Sequence, residues 1–391
     1  MKSTLDLNAL TAKPFIGLVE LMRLAHANVD LAALGQMLID KTVENPHDAN
    51  ALMDLATVLQ LRGNPDLALQ FQAEAIELQR TYISPNHSQT TLRVLALMSA
   101  GDLMANTPIE FLLENSDIAL TQFYVSLESG KFDLPEHDVL FVAIAESEEN
   151  LPLLKQLEPI LKSWAKPVLN KPEHIANMSR DAACQLLANA AGIVMPETVR
   201  YTVENLKPEI FDYPLIIRPV DSHAGHDLEK IESQTALNDY VERQNFNDFF
   251  VARFVDYRNA DGVFRKYRVM LISGQPFLAH LAISDHWMIH YLNAGMAEDA
   301  AKRAEEAQAM HDFAATFAKK HAAAFKTIYK RTGLDYVGID CSETPDGKLL
   351  IFEIDSCMIV HAIDCVDLFP YKPAYMAKLF TAFQRLFKAA Q

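Results

Sequence analysis

The segment YVGIDCSETPDGKLLIFEID, residues 336–355, places carboxylates inside two apolar runs that a Pro-Asp-Gly turn separates. These turn residues predict an antiparallel hairpin. Successive strand residues point to opposite faces, so Glu353 and Asp355 share one face while Phe352 and Ile354 point to the other, into a core. Burying an unpaired charge is costly, so we expect a cation to compensate the two acids or a functional role to explain them.

Pairing across the predicted hairpin decides whether a third acid joins them. If the turn closes with Glu343 opposite Lys348, Gly338 lies across from Glu353, and Asp340 shares the face of both acids. This pairing assumes a loop with an even number of residues. A three-residue loop would turn Asp340 to the opposite face.

Three carboxylates on one face repel one another unless a cation is present. Mg²⁺ prefers oxygen ligands and is commonly held by a few carboxylates together with water and phosphate. The pattern therefore favours a magnesium site that handles a nucleotide, with Asp340, Glu353 and Asp355 as ligands. Two simpler interpretations stay open: a solvent-exposed acidic strand end, and an ion pair with a lysine or an arginine.

Composition disfavours several kinds of partner. The chain has 391 residues, half of them hydrophobic, and a formal net charge of -16. This charge disfavours nonspecific binding to nucleic acid or to an anionic membrane. No apolar run approaches the ~20 residues that span a bilayer, and the N-terminal residues lack the apolar core of a signal peptide. The four cysteines form no CxxC pair, so we expect a reducing, cytoplasmic location.

The first hundred residues predict helices. Residues 49–79 form two amphipathic patterns joined by Gly63-Asn64-Pro65, and Ala68 and Ala75 give the second helix a flat face. This arrangement resembles a tetratricopeptide repeat. A single repeat cannot bury its own face. We therefore expect either a helical layer packed on neighbouring elements or a surface that binds a protein or peptide partner.

Strand and helix patterns alternate from about residue 93, which predicts α/β architecture. The run 137–146 is typical of a buried parallel strand, residues 151–164 predict a helix, and residues 166–170 predict another short strand. Further strands are assigned to 107–114 and 119–127. Residues 178–192 predict a helix that ends at Gly192.

Beyond residue 200 the pattern is that of antiparallel hairpins. Strand-like runs cover 249–258, 266–283 and 336–355, and Ser273-Gly274 marks a turn. Residues 297–332 predict one long alanine-rich helix, and residues 374–390 predict an amphipathic helix. We therefore expect three segments: a helical region over 1–92, an α/β domain over 93–175, and a domain with an antiparallel sheet over 176–391.

Two basic features accompany the acids. Arg218 ends an apolar strand and precedes a loop of small residues, 222–225, whose backbone N–H groups can approach phosphate oxygens. Lys266 and Arg268 share one strand face, which suits an anionic ligand. Four side chains downstream are candidate substrate contacts: His280, His286, His290 and Tyr291. Each of them is alternatively an ordinary core residue.

Taken in order, these motifs resemble the ATP-grasp superfamily. VLNKPEHIANMSRD (168–181) and GIVMPET (192–198) look like the start of its nucleotide-binding domain. IIRPVDSHAG (216–225) resembles its strand and phosphate loop, and FFVARFVD (249–256) lies where its adenine hinge is expected. KYRVMLISGQ (266–275) resembles its central strand pair, and VGIDCSETPDGKLLIFEIDSCM (337–358) resembles its closing motif.

The resemblance implies a pre-ATP-grasp α/β domain over 93–175, an ATP-grasp domain over 176–391, and the use of ATP and Mg²⁺. The implied nucleotide-binding positions are Arg180, Arg218, Ser222, His223, Gly225, Ala252, Arg253, Phe254 and Lys266. Arg218 and Arg268 are the implied catalytic positions, and Asp340, Glu353 and Asp355 are the implied magnesium ligands.

Four positions depart from the family pattern. Ala182 replaces a lysine of the first helix, although Arg180 is nearby. Arg253 replaces the acid of the hinge, and Lys266 replaces the acid that usually stands two residues before the arginine. Asp355 replaces an asparagine and keeps an oxygen ligand. The first three changes bear on nucleotide geometry and on turnover.

The reaction implied by the resemblance is ATP- and Mg²⁺-dependent ligation. A carboxylate takes the γ-phosphoryl group to form an acylphosphate, and the amine of an amino acid, peptide or small molecule then displaces phosphate. Two alternatives stay open: a small-molecule kinase on the same fold, and a noncatalytic nucleotide-binding interaction protein with a helical-repeat module. We expect a small-molecule or peptide substrate and no nucleic-acid or membrane partner, and a homodimer is left open.

Overall fold

The computed structural model describes residues 6–85, 90–127, 133–206, 212–222 and 225–391. The fold is mixed α/β and divides into two compact units. The first unit comprises Met1–Ala145, Pro152–Pro172 and Cys357–Gln391, and the second comprises Glu146–Leu151 and Glu173–Ser356. The expected division placed residues 357–391 with 176–356, whereas the structure groups them with the first unit.

The helices and strands follow one another along the whole chain. The helices are α1 (Leu7–Thr11), α2 (Leu18–His26), α3 (Leu31–Glu44), α4 (Ala49–Leu61), α5 (Pro65–Leu78), α6 (Ile109–Leu112), α7 (Leu151–Lys162), α8 (Pro172–Ile175), α9 (Arg180–Leu187), α10 (Gln234–Arg243), α11 (Ala300–Asp312), α12 (Phe317–Lys320), α13 (Ala322–Thr332) and α14 (Lys372–Ala390). The strands are β1 (Thr81–Ile83), β2 (Leu92–Met98), β3 (Ile118–Tyr124), β4 (Val139–Val142), β5 (Val168–Leu169), β6 (Ile193–Val194), β7 (Thr198–Thr202), β8 (Leu215–Pro219), β9 (Glu229–Ile231), β10 (Asp248–Arg253), β11 (Phe264–Ile272), β12 (Gln275–Ser284), β13 (Tyr336–Glu343) and β14 (Leu349–Asp355). None of the helices among these residues combines the length and the apolar character that crossing a membrane requires.

Helices α4 and α5 confirm the helix pair expected from residues 49–79. Asp48 caps α4 by accepting the N–H of Ala51 at 3.0 Å, and Pro65 occupies the start of α5, where a missing N–H costs nothing. Ala68 and Ala75 are fully buried, as the flat face predicted. Resemblance to a tetratricopeptide repeat stays a prediction.

The sheet of the first unit has the strand order β1-β3-β2-β4-β5. β3, β2, β4 and β5 are parallel to one another, and only β1 is antiparallel. The apolar run at 137–146 supplies β4, all four residues of which are buried. Phe141 of β4 packs against Phe383 and Phe387 of α14, at ring-centroid distances of 5.8 Å in both cases.

One expected strand of the first unit is wrong. Residues 109–112 form the short helix α6 instead of a strand, and Ile109, Phe111 and Leu112 are all buried in it. A short apolar run does not distinguish a strand from a buried helical turn. Pro108, with φ -75° at the N-cap, sets the chain for a helical start.

The second unit contains two sheets. One has the order β7-β10-β8-β9 and is antiparallel throughout. It buries a cluster with α10 that includes Ile217, Tyr240 and Phe249. The other has the order β12-β11-β13-β14-β6 and is antiparallel except for the β14–β6 pair.

Two predicted helices of the second unit are shorter than expected. The helix assigned to 297–332 is divided into α11, α12 and α13, and the helix assigned to 178–192 ends at Leu187. Phe313 and Phe317, on either side of the break after α11, are both buried, and Phe317 stacks on Tyr267 of β11 with ring centroids 4.3 Å apart.

The β13–β14 hairpin has a different register from the one predicted. The loop is the odd-length segment Pro345-Asp346-Gly347, because Thr344 donates its N–H to Lys348 O at 3.0 Å. That loop alone would turn Asp340 away from the acids of β14. A second irregularity restores the face: the register shifts between Asp340 and Cys341, so Cys341 pairs with Ile351 and Asp340 pairs with Glu353. The predicted convergence is therefore confirmed, although the predicted pairing is not.

Candidate active site

A row of polar side chains crosses four strands of the second unit at one level. Arg268 of β11 lies directly opposite His280 of β12 and opposite Asp340 of β13, and Asp340 lies opposite Glu353 of β14. Directly opposed residues share a sheet face. Asp355, two residues beyond Glu353, shares that face and pairs with a position that has no side chain, Gly338.

Asp340 is held by two cations. Its Oδ1 accepts Arg268 Nε at 2.8 Å, and its Oδ2 accepts Arg268 Nη2 at 3.0 Å and Lys266 Nζ at 2.9 Å. The aspartate is 2% exposed. Burial by itself would raise the pKa of Asp340, but Arg268 and Lys266 hold it well below its usual value. Asp340 is therefore a charged carboxylate whose oxygens are both occupied by side chains of the protein.

Glu353 is held by a third cation, Arg180. Arg180 Nη2 donates to Glu353 Oε1, and Arg180 Nη1 donates to Phe352 O at 3.5 Å. Burial would raise the pKa of Glu353, but the charges of Arg180 and Arg218 lower it. Arg180 is the first residue of α9, where the helix dipole is unfavourable to a positive charge. The ion pair with Glu353 offsets that placement.

Arg218 of β8 is a buried cation with a different set of contacts. It is 8% exposed, and its guanidinium donates to Ser222 Oγ at 2.9 Å and to Ser222 O. Among the described residues no carboxylate lies within ion-pair distance of it. Burial, with the nearby charge of Arg180, lowers the pKa of Arg218 to about 9. A buried guanidinium without a partner carboxylate is suited to an anion supplied by a ligand.

Two of the three expected magnesium ligands, Asp340 and Glu353, form ion pairs that compete with that ion in this arrangement. Mg²⁺ requires oxygen ligands at about 2.0–2.1 Å in near-octahedral geometry, and the oxygens of Asp340 and one oxygen of Glu353 are bound by Arg268, Lys266 and Arg180. Within the described ranges, no group of three or more His, Cys, Asp or Glu side chains is placed to hold a metal ion. The ion-pair interpretation of the acids therefore describes Asp340 and Glu353.

The loop after β8 has the chain geometry of a small-residue loop where it is described. Gly225 has φ +77°, and a Cβ there would meet the sulfur of Met288 at 3.5 Å, so this position favours glycine. At the start of the loop, the Ser222 hydroxyl donates a hydrogen bond to Pro219 O at 2.9 Å. His223, another predicted nucleotide contact, lies outside the described residues.

The hinge positions 252–254 end β10 and differ in what they offer. Ala252 pairs with both Thr198 and Ile216, and its backbone belongs to the interior of the sheet. The N–H of Phe254 donates to Pro214 O at 3.2 Å, so this amide is not available to a ligand. Arg253 has an exposed side chain.

An aromatic cavity lies beside this hinge, and no motif in the sequence marked it. Its volume is about 430 Å³, and its lining includes Lys230, Trp287 and Met288. Phe254 borders it: its ring meets the Trp287 ring at a centroid distance of 5.7 Å and 85°, and Lys230 Nζ lies 4.3 Å from the Phe254 centroid. Lys230 pairs with Ile216, which shares a strand face with Arg218, so the cavity-lining lysine and the buried cation lie on the same face of this sheet.

Histidines predicted as substrate contacts are separated by the fold. His280 belongs to the row across the sheet and lies 4.4 Å from the Tyr291 ring. His290 is half-buried, and burial together with the charges of Lys266 and Arg268 lowers its pKa. His286 is highly exposed, pairs with Asp285 at 3.7 Å, and lines the aromatic cavity.

A residue that sequence reasoning missed, Glu306, supports this side of the site. Although fully buried, it accepts the N–H of Leu281 at 3.0 Å and the hydroxyl of Tyr291 at 3.0 Å. The strand pairing shifts register between Arg268 and Val269, near that amide. Glu306 stands within an ordinary helical pattern, so no local signal distinguished it from a surface glutamate.

Together these features make the end of β8 a candidate anion-binding site: a buried guanidinium without an ion-paired carboxylate among the described residues, near a cavity lined by Trp287 and Lys230. No protein-family model matches the chain. Similar solved structures include a RimK domain protein ATP-grasp from Sphaerobacter thermophilus, at 17% identity and TM-score 0.45 over 74% of this chain and 98% of that chain.

Two further similar structures are amino-acid ligases. D-alanine–D-alanine ligase from Bacillus anthracis, complexed with ATP, has 13% identity and TM-score 0.48 over 76% of this chain and 98% of that chain. VanG D-Ala:D-Ser ligase from Enterococcus faecalis has 14% identity and TM-score 0.46 over 77% of this chain and 100% of that chain. Similarity at this level does not establish a family or an activity for this chain.

Proposed function

We propose that this chain is an ATP-dependent carboxylate–amine ligase of the ATP-grasp type. The observation that carries the proposal is Arg218, a buried guanidinium that lacks a carboxylate partner among the described residues and lies near a second cation, Arg180. Desolvated positive charge of this kind is costly unless an anion completes it. A phosphate group would supply that anion.

The neighbouring cavity indicates which class of anionic ligand the site would bind. Trp287 and Lys230 line this volume, and the Phe254 ring borders it edge-on to Trp287; an aromatic face with a nearby cation suits a planar base. Arg218 shares a strand face with Ile216, the pairing partner of Lys230, and Gly225 lies near Met288 of the lining. A base held at one end and phosphates held at the other describe a nucleotide.

The cations of the site would supply the electrostatic part of the reaction. The substrate carboxylate attacks the γ-phosphorus and ADP leaves; the amine then attacks the acyl carbon, phosphate leaves, and the nitrogen loses a proton. Arg218 and Arg268 would stabilise the charge that develops on the transferred group. No step is assigned to magnesium, since Asp340 and Glu353 are already held by cationic side chains.

The proposal is tested by measuring ADP release with ATP over a panel of carboxylates and amines. Pairwise mixtures are required because full turnover consumes both substrates. We expect ADP and phosphate in equal amounts with one productive pair, and a loss of at least tenfold in kcat/KM for Glu353→Gln, which removes the charge that orients Arg180. ADP release with a carboxylate or alcohol alone, together with a stable phosphorylated product, would indicate the kinase alternative instead.

A second candidate, a noncatalytic nucleotide-binding protein, is favoured by one observation. Arg268, which would need to stabilise the transferred phosphoryl group, is bound through both Nε and Nη2 to Asp340. Nucleotide binding without ADP formation from any substrate pair would support this candidate. The repeat-like role of α4 and α5, a protein or peptide partner, a homodimer and a cytoplasmic location remain predictions.

A further inference from the structure

We propose that Lys266 takes the place of a divalent cation at Asp340, so that the site binds the phosphates of a nucleotide without a metal ion on that carboxylate. The inference rests on the proposed nucleotide site. The inference goes beyond that site because it proposes that the ammonium of Lys266 supplies the positive charge that a metal ion would otherwise supply.

The contacts of Asp340 carry the first step. Lys266 Nζ lies 2.9 Å from Oδ2, while Arg268 spans both oxygens at 2.8 and 3.0 Å. A carboxylate offers about four lone-pair sites, and N–H donors already use three of those of Asp340. A metal ion on Oδ2 would lie next to the lysine ammonium in a buried environment, where like charges repel strongly.

The geometry of Lys266 carries the second step. Its side chain is 13% exposed, compared with 3% for that of Asp340, so solvent reaches Lys266 more than it reaches the carboxylate. An ammonium has three N–H groups, and the structure uses one of them on Asp340. Lys266 and Arg268 share a strand face. Lys266 can therefore hold Asp340 and donate to a phosphate oxygen at the same time.

The charge of the surrounding site carries the third step. Lys266 and Arg268 both bind Asp340, and the charges of Arg180 and Arg218 both act on Glu353; Asp355 faces a further acid, Glu146. Around Asp340 and Glu353 the fixed cations outnumber the carboxylates, and this part of the site attracts phosphate. A bridging divalent ion is then not needed to overcome repulsion between phosphate and carboxylate.

The experiment compares binding of the non-hydrolysable analogue AMP-PNP in EDTA and in 5 mM MgCl₂ by isothermal calorimetry on the full chain. For the unaltered protein we expect the two Kd values to agree within about threefold. Lys266→Asp is expected to weaken binding in EDTA at least tenfold and to regain affinity when MgCl₂ is added, because the introduced carboxylate and that of Asp340 would together attract the ion. Electron paramagnetic resonance with Mn²⁺ should detect an additional bound ion in that variant.

Two variants serve as controls. Lys266→Arg keeps the charge and should keep binding independent of metal. Lys348→Asp reverses a charge in the exposed hairpin turn, where Lys348 pairs with Asp346, and should leave both Kd values within about twofold. If Lys266→Asp does not fold, the metal dependence of the unaltered protein and of Lys266→Arg still decides the question.

The outcomes separate this inference from the proposed function. Binding that needs Mg²⁺ by tenfold or more in the unaltered protein would overturn the role of Lys266 and leave the nucleotide site standing. Absence of AMP-PNP binding in both buffers would overturn the nucleotide site and, with it, the inference. Binding that is independent of metal, and that becomes dependent on metal in Lys266→Asp, is the result that supports it.

Discussion

Arg218 shows how one residue can reduce stability while serving the site. Its guanidinium is 8% exposed and is satisfied only by Ser222 of its own loop among the described residues. Replacing a buried charge by an apolar group of similar size is often neutral or stabilising, whereas removing half of a buried ion pair is costly. Arg218 is close to the first situation, because no carboxylate in the described part of the chain forms an ion pair with it, and Glu353, whose pKa its charge lowers, keeps the ion pair with Arg180.

Arg218→Met should therefore separate binding from folding. We expect the free energy of unfolding in urea, without ligand, to stay the same or to rise. The Kd for AMP-PNP should increase roughly 10- to 100-fold, in line with the loss of a hydrogen bond from a charged group, about 1.5–3 kcal/mol. Calorimetry and urea denaturation measure the two quantities on the same sample.

Arg200→Met is the matched control in the same sheet. Arg200 of β7 pairs with Glu148 at 2.5 Å and with Asp248 at 3.3 Å, and its side chain is 34% exposed. We expect a stability change of about 0–1 kcal/mol and no change in nucleotide affinity. Equal effects of the two arginine variants on binding would show that Arg218 acts only through general charge.

At the residue scale, the sequence located the site but not its pairing. The spacing of Glu353 and Asp355 set their common face, and Lys266 and Arg268 were recognised as a basic pair on a neighbouring strand. That these cations are bound to the acids depends on strand neighbours that are distant in sequence, such as Arg268 and Asp340. Trp287, Lys230 and Glu306 lie on loops and elements without a recognisable motif, and only the fold brings them to the site.

At the scale of elements, patterns predicted which segments are helix or strand better than where they end. The hairpin loop has three residues, and the shift between Asp340 and Cys341 compensates for it; neither irregularity is visible in the alternation of apolar residues. The alanine-rich segment 297–332 lacks Gly and Pro, the usual marks of a break. The division falls between Phe313 and Phe317, both of which are buried.

One connection between elements has a pH dependence that can be measured. Asp54 of α4 is 2% exposed and accepts the N–H groups of Ile16 and Gly17 at 2.8 and 2.9 Å, just before α2. Burial raises its pKa to about 7, and the two hydrogen bonds oppose the change only in part. Since the folded state binds the proton more tightly than the unfolded state, the contribution of Asp54 to stability is highest below about pH 4 and is lost as the pH rises through about 7.

Asp54→Asn should remove this dependence. Between pH 5 and 7 the free energy of unfolding of the unaltered protein should fall by up to about 1.4 kcal/mol per pH unit more than that of the variant. Urea denaturation at pH 5, 6, 7 and 8 gives both slopes. Identical slopes would mean that Asp54 is ionised in the folded state over the whole range.

Asp138→Asn is the control, because the pKa of Asp138 is lowered on folding whereas that of Asp54 is raised. Hydrogen bonds from Arg93 hold the pKa of Asp138 at about 2, so its contribution to stability is present above about pH 4 and is lost as the pH falls through about 2. Between pH 5 and 8 this variant should shift the curve without changing its slope. A changed slope would show that the method responds to any lost carboxylate.

At the scale of the whole molecule, each unit is assembled from segments far apart in the chain. The first unit takes α14 from residues 372–390, and both Phe383 and Phe387 are fully buried against Phe141 of β4. The amphipathic pattern of 374–390 predicted a packed helix, but it carried no information about which sheet the helix would cover. Sequence order assigned it to the second unit, and the structure does not.

Phe387→Ala measures how much this helix contributes. We expect a loss of about 3–5 kcal/mol in the free energy of unfolding, because the substitution removes a buried ring and leaves a cavity between α14 and β4. Lys388→Ala, at the next position, removes a partly exposed ion pair with Asp117 and should cost at most about 1 kcal/mol. Equal losses in urea denaturation would mean that the ring does not fill the core of the first unit.

The placement of α14 has a consequence for biosynthesis. Phe141 leaves the ribosome roughly 250 residues ahead of Phe387, which at about 5–20 residues per second is a wait of roughly 12–50 s. During translation every strand of the second unit is made before the aromatic cover of β4 exists. The unit that contains β4 is thus the later of the two to be completed, and until α14 is made its sheet lacks the aromatic rings that cover Phe141.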